Sequence, residues 1–164
     1  MKNRNRWIVT GAILSTLTLG CSDEHTDADP DLEGCEHLQE GPAVALTATN
    51  TADTAPAVLA DHMRYDVTLI ATTGATAFGG FVKYAAPEAT DFVFYLSADV
   101  PVEFLDATGA VVLPETSANS STACAEIMGR HLIPLEVGTY GLQLGPTTRT
   151  SVSVVVEEVA HSPH

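Results

Sequence analysis

Six histidines occur in a chain of 164 residues, and three of them stand where a folded frame could gather them. His37 follows Cys35-Glu36, His62 stands in Asp61-His62-Met63, and His131 closes the run that begins at Cys124. Neutral imidazole is a preferred ligand of zinc and copper. Three such rings from separate segments would hold the ion and leave a fourth position for water or a partner's ligand. Glu36, Asp61 and Glu126 lie close in sequence, where they could orient the rings or add a donor. The pattern points to a zinc or copper site built from His37, His62 and His131. His25, His161 and His164 fall in polar flanks and read as exposed side chains.

Each of the three also has a plainer reading. His131 is in phase with Ile133, Leu135 and Val137, which suits the edge of a core, whereas His62 is in phase with Arg64 and Asp66, which suits a wet face. His37 follows an acidic stretch and could be exposed. Met63 and Met128 neighbour His62 and His131, and thioether with imidazole suits Cu(I); Met63 is also in phase with Tyr65 and Val67, as a core residue would be. A blue-copper site would need Cys124 as a free thiolate, in an unfamiliar order with Met128 and His131. Enzyme signatures are poor: Ser120, Ser121 and Ser151 have no nucleophile-elbow setting, and no phosphate loop follows Gly79-Gly80. The expected role is binding without turnover.

The beginning of the chain carries a different signal. Lys2, Arg4 and Arg6 form a basic head, Trp7 to Leu19 an apolar run, and Thr18-Leu19-Gly20-Cys21 a small-residue junction ending in cysteine. The run is shorter than the roughly 20 apolar residues of a membrane span and is followed at once by Ser22, Asp23 and Glu24. This junction resembles that of the bacterial lipoprotein class, with Thr18 in place of the usual Leu. The resemblance implies cleavage after residue 20, diacylglycerol and a further acyl chain on Cys21, and anchoring to a membrane through that residue. Ser22 beside the cysteine looks like the outer-membrane sorting choice, with the protein on the periplasmic side or at the cell surface.

Cleavage would remove three of the seven basic residues and none of the 21 acidic ones, so the formal charge would pass from −14 to −17. So acidic a chain repels nucleic acid and anionic lipid and attracts cations and basic proteins. Residues 21–34 are rich in Asp and Glu, with few large apolar side chains, and read as a disordered, solvated tether.

Residues 35–160 read as one domain, followed by a short tail at 161–164. Short runs rich in Val, Thr, Phe and Tyr are punctuated by Gly, Pro and Asp, with almost no helical periodicity. Met63 to Ala71, Phe92 to Leu96, Val100 to Leu105, His131 to Val137, Gly138 to Leu144 and Thr150 to Val159 are expected strands, and Asp106-Ala107-Thr108-Gly109 an expected turn. The fold expected is all-β, a single antiparallel β-sandwich of about eight or nine strands. Phe92 to Gly109 and Leu135-Glu136-Val137-Gly138-Thr139-Tyr140-Gly141-Leu142 resemble the bacterial pre-peptidase C-terminal type of β-sandwich, mostly accessory modules, some of them calcium-binding. No closely spaced Asp/Asn run carries such a calcium site over.

With Cys21 acylated, Cys35 and Cys124 remain, and outside the cytoplasm they are expected to form one disulfide. Such a bridge would set Glu36 and His37 beside the Asn119 to Arg130 loop and so draw His37 toward His131. The competing function class is a metal-free module that binds a protein or glycan partner. The nine Phe and Tyr side chains are mostly in phase with the core, which argues against an aromatic sugar platform.

Overall fold

The computed structural model describes residues 29–72 and 76–159. The expected signal segment 1–20, the acylation residue Cys21, tether residues 21–28 and the tail 161–164 lie outside them. A helix stands where the end of the tether was expected. Helix α1 spans Pro30–Glu40, so residues 30–34 of the proposed disordered segment are folded. The local chemistry is that of a helix start: the Asp29 carboxylate accepts the Asp31 N–H at 3.0 Å, Pro30 occupies the first turn, and Asp31 and Glu33 face the positive end of the helix dipole. Gly41 closes the helix by donating its N–H to the His37 carbonyl at 3.0 Å, and Pro42 follows.

Twelve strands follow among the described residues. The first four are β1 (Ala43–Thr47), β2 (Ala57–Val58), β3 (Arg64–Thr68) and β4 (Ile70–Ala71). The next four are β5 (Phe78–Ala86), β6 (Thr90–Leu96), β7 (Val102–Leu105) and β8 (Val111–Val112). The last are β9 (Thr116–Ala118), β10 (Gly129–Leu135), β11 (Gly138–Thr147) and β12 (Ser151–Glu158). One sheet runs β1-β3-β12-β6-β10-β9; the other runs β2-β5-β11-β7-β8, with β4 also paired to β5.

The described residues are therefore all-β with one short helix, but the sheets are mixed. β1 pairs with β3 in parallel, and β2 with β5. The expectation of wholly antiparallel pairing fails there because the chain leaves β1, contributes β2 to the other sheet and returns as β3, a crossover that leaves both strands pointing the same way. The expected strand from Met63 to Ala71 is also divided. Leu69 donates its N–H to the Thr150 carbonyl, and the chain then passes from β3 to β4 in the other sheet.

Side-chain alternation makes the main core between the sheets. Phe92, Phe94 and Leu96 of β6 and Val152, Val154 and Val156 of β12 meet Val82, Tyr84, Phe104, Leu142 and Leu144 of the second sheet. Tyr84 packs edge-on against Phe92 and Phe94 at centroid distances of 5.1 and 5.3 Å. The intervening residues of β6 and β12, Val93, Tyr95 and Val155, point the other way, under α1, into a second apolar cluster with Leu38, Cys124 and Ile127. This double covering explains why β6 reads as a continuous apolar run.

The helix is tied over that outer face at several points. The Asp31 carboxylate accepts from Arg130 Nε at 2.6 Å, the Ser121 hydroxyl at 2.7 Å and the Tyr95 hydroxyl at 3.0 Å. At the other end, Arg64 donates to the Leu38 carbonyl at 3.1 Å, a cation where the helix dipole is negative. Between them, the Cys35–Cys124 disulfide joins residues 89 apart in sequence.

Candidate metal centre

The helix presents His37 from its last turn, one turn after Glu33, and both side chains meet the outer face of β12 at Glu157. His37 Nδ1 lies 2.5 Å from Glu157 Oε1. His62, in the turn before β3, approaches from the side: its Nδ1 is 3.6 Å from Glu157 Oε2 and 3.5 Å from Glu33 Oε1. The two imidazole rings stand 4.9 Å apart and tilted by 56°. One nitrogen or oxygen from each of Glu33, His37, His62 and Glu157 can be chosen so that all four lie within 4.8 Å of one another.

The four donors differ in exposure, which gives the site a floor and an open side. Glu157 is only 3% exposed. Burial pushes its carboxyl above the usual carboxylate range, and the hydrogen bond with His37 only partly opposes that push. The His62 side chain is 66% exposed and forms the outer wall. Beside the rings lies a cavity of about 360 Å³, rimmed by Glu36, Glu40, Asp61 and Met63.

His62 has φ of 60°, a left-handed conformation that costs a non-glycine residue on the order of 1 kcal/mol. The turn is anchored by its neighbour: Asp61 accepts the Tyr65 hydroxyl on both carboxylate oxygens at 2.9 Å. Burial first, and then that hydrogen bond to an anion, pushes the Tyr65 phenol up to about 12. Asp61 thus acts on His62 by holding its turn. Met63 packs against the main core with its side chain partly buried.

His131 lies elsewhere. Arg130 reaches out to Asp31 on the helix, so its neighbour in the strand faces the opposite way, between the sheets. There the His131 ring lies 6.0 Å from that of Phe104, and its Nδ1 is 2.9 Å from the Ser117 hydroxyl. Burial lowers its pKa, disfavouring the charged imidazolium. Glu157 belongs to the other face of the same sheet, so the expected three-histidine set is divided: His37 and His62 meet, and Glu157 and Glu33 stand where a third ring was expected. Glu36 reaches the rim of the cavity, whereas Glu126 sits beside the disulfide, 3.3 Å from Cys124 Sγ.

Neither carboxylate of the cluster was expected from the sequence. The signal for Glu157 lies in Val154-Val155-Val156, whose unbroken apolar run marks a strand covered on both faces just before the acid. Nothing local marks Glu33 beyond its position one turn before His37. No family model and no curated protein matches the chain.

Proposed function

We propose that this protein is a lipid-anchored β-sandwich that binds one transition-metal ion, zinc or copper, through His37, His62 and Glu157, with Glu33 as the fourth donor. The supporting observation is the convergence of these four side chains, drawn from a helix, a turn and a distant strand. Donors held about 2.0–2.1 Å from a tetrahedral ion stand roughly 3.3 Å apart. The separations of His62 from Glu33 and Glu157, 3.5 and 3.6 Å, are close to that value. The shorter His37–Glu157 contact is a hydrogen bond that a cation would replace, releasing its proton.

A buried carboxylate facing two imidazoles favours a divalent cation over an anion, and the acidic surface concentrates cations nearby. Two nitrogens and two carboxylate oxygens suit Zn²⁺ or Cu²⁺. With His62 exposed, the ion could enter and leave from solvent, which suits capture, storage or handover. Acylation at Cys21 would hold this domain at the outer membrane.

Elemental analysis of protein lacking residues 1–21 tests the reading. One equivalent of zinc or copper in the parent and none in a His37→Ala/His62→Ala variant supports it. A parent that stays metal-free after incubation with both ions refutes it and leaves the metal-free interaction module.

A further inference from the structure

A second group of metal-ligating atoms surrounds the disulfide. Glu126 Oε2 lies 3.3 Å from Cys124 Sγ and 4.0 Å from Cys35 Sγ, and the three side chains offer ligand atoms all within 4.8 Å of one another. A disulfide has no S–H to donate, so in the oxidised protein neither sulfur gives this carboxylate a hydrogen bond. The same atoms with the S–S bond opened are two thiolates and a carboxylate, a donor set for a soft divalent ion.

We propose that Cys35, Cys124 and Glu126 form a redox-gated metal site, closed as a disulfide and, after reduction by a dithiol, open to one Zn²⁺ or Cd²⁺. Cys35 is partly exposed, which gives a reductant its point of attack. A dithiol thiolate attacks Cys35 Sγ, the S–S bond breaks with its electron pair going to Cys124 Sγ, and that sulfur takes up a proton. The second thiol of the reductant then displaces Cys35 as a thiol, leaving the reductant as a disulfide. Binding of a divalent cation releases the two thiol protons.

The sulfurs stay opposed after reduction because the helix does not depend on the bridge for its place. Asp31 is held by Arg130, Ser121 and Tyr95, and the Leu38 carbonyl by Arg64. The Cα atoms of Cys35 and Cys124 are 5.8 Å apart, which lets two sulfurs sit roughly 3.8 Å from each other around one ion with Zn–S bonds of about 2.3 Å. Gln39 Nε2, 3.4 Å from Cys35 Sγ, supplies an amide donor to that thiolate. Water completes the coordination on the exposed Glu126 side.

The test uses the full chain carrying Cys21→Ser, His37→Ala and His62→Ala, so that only these two cysteines and no imidazole pair compete. The protein is reduced with dithiothreitol, freed of it without air, and titrated with Cd²⁺ while the thiolate-to-cadmium charge-transfer absorption is followed. A band saturating at one cadmium per chain, absent before reduction and weakened on the order of tenfold in affinity by Glu126→Gln, supports the site. Reduced protein that keeps its far-ultraviolet dichroism and two titratable thiols but shows no band overturns it. So does loss of the fold on reduction, or equal cadmium affinity in the urea-unfolded chain, since either denies a built site. Unchanged affinity in Glu126→Gln overturns the role of the carboxylate.

Discussion

His37 and Glu157, 120 residues apart in sequence, meet at 2.5 Å across the seam between helix α1 and strand β12. The contact joins a helix that sequence patterning did not reveal to a strand that it did. It also places a 3%-exposed carboxylate against an imidazole whose other neighbour is a second imidazole.

Replacing that carboxylate separates metal binding from folding. Glu157→Gln keeps the shape of the side chain and removes its charge, and taking a charge out of a buried position relieves a desolvation cost. We expect metal affinity to fall at least on the order of tenfold. The metal-free protein should keep its thermal midpoint within a few degrees, about 1 kcal/mol. Zinc titration and a thermal melt on the same sample check both.

Gly34 sits where α1 crosses the Tyr95 ring, and an added Cβ would meet ring carbons Cε2 and Cδ2 inside van der Waals contact. Helix propensity alone favours Ala over Gly by about 1 kcal/mol. Tyr95 is fully buried and its hydroxyl is bonded to Asp31, so the ring has no room to yield. Overpacking should prevail, with Gly34→Ala destabilising by about 1–3 kcal/mol in a urea titration.

Asp31 sets an acid limit on stability. Burial alone would raise its pKa, but the hydrogen bonds from Arg130, Ser121 and Tyr95 outweigh it and hold the carboxyl below the usual range. A carboxyl depressed in the folded state contributes stability above its unfolded pKa of about 3.9, lost as pH falls through the lower folded value. Asp31→Asn should therefore be less stable than the parent at neutral pH, by about 2 kcal/mol. The gap should narrow progressively below about pH 4. Unfolding curves at several pH values measure it.

The disulfide acts chiefly on the unfolded chain. It closes a loop spanning 89 residues, so its removal in Cys35→Ala/Cys124→Ala should cost about 4 to 5 kcal/mol. The helix keeps its ties at Asp31 and Leu38, so zinc affinity at His37 and His62 should change less than about threefold where the protein is folded. Urea unfolding and zinc titration read the two quantities separately.

Much of the architecture was written in local pattern. The alternation in β3, the apolar run of β6 and the turn at Asp106, whose carboxylate accepts the Thr108 and Ala110 N–H groups, are period-two and turn signals that the chain obeys. The pairing of Cys35 with Cys124 also followed from their being the two cysteines left after Cys21. Helix α1 is not legible in the sequence because its composition is that of a tether. Cys35 and Leu38 are its members of the apolar cluster beneath it, and polar ties at Asp31 and at the Leu38 carbonyl hold it in place. The separation of His131 from His37 and His62 has a sharper cause. A disulfide can bring two segments together without deciding which face of a strand a residue occupies, and one step from Arg130 to His131 exchanges the helix side for the core.

Zinc titration calorimetry on the parent, His37→Ala, His62→Ala and His131→Ala proteins tests the proposed centre most directly. The parent and His131→Ala should each bind one zinc per chain with similar affinity, and His37→Ala and His62→Ala should each lose on the order of a hundredfold. A parent that binds no zinc and no copper, or a His131→Ala protein that is folded yet as impaired as His37→Ala, would contradict it.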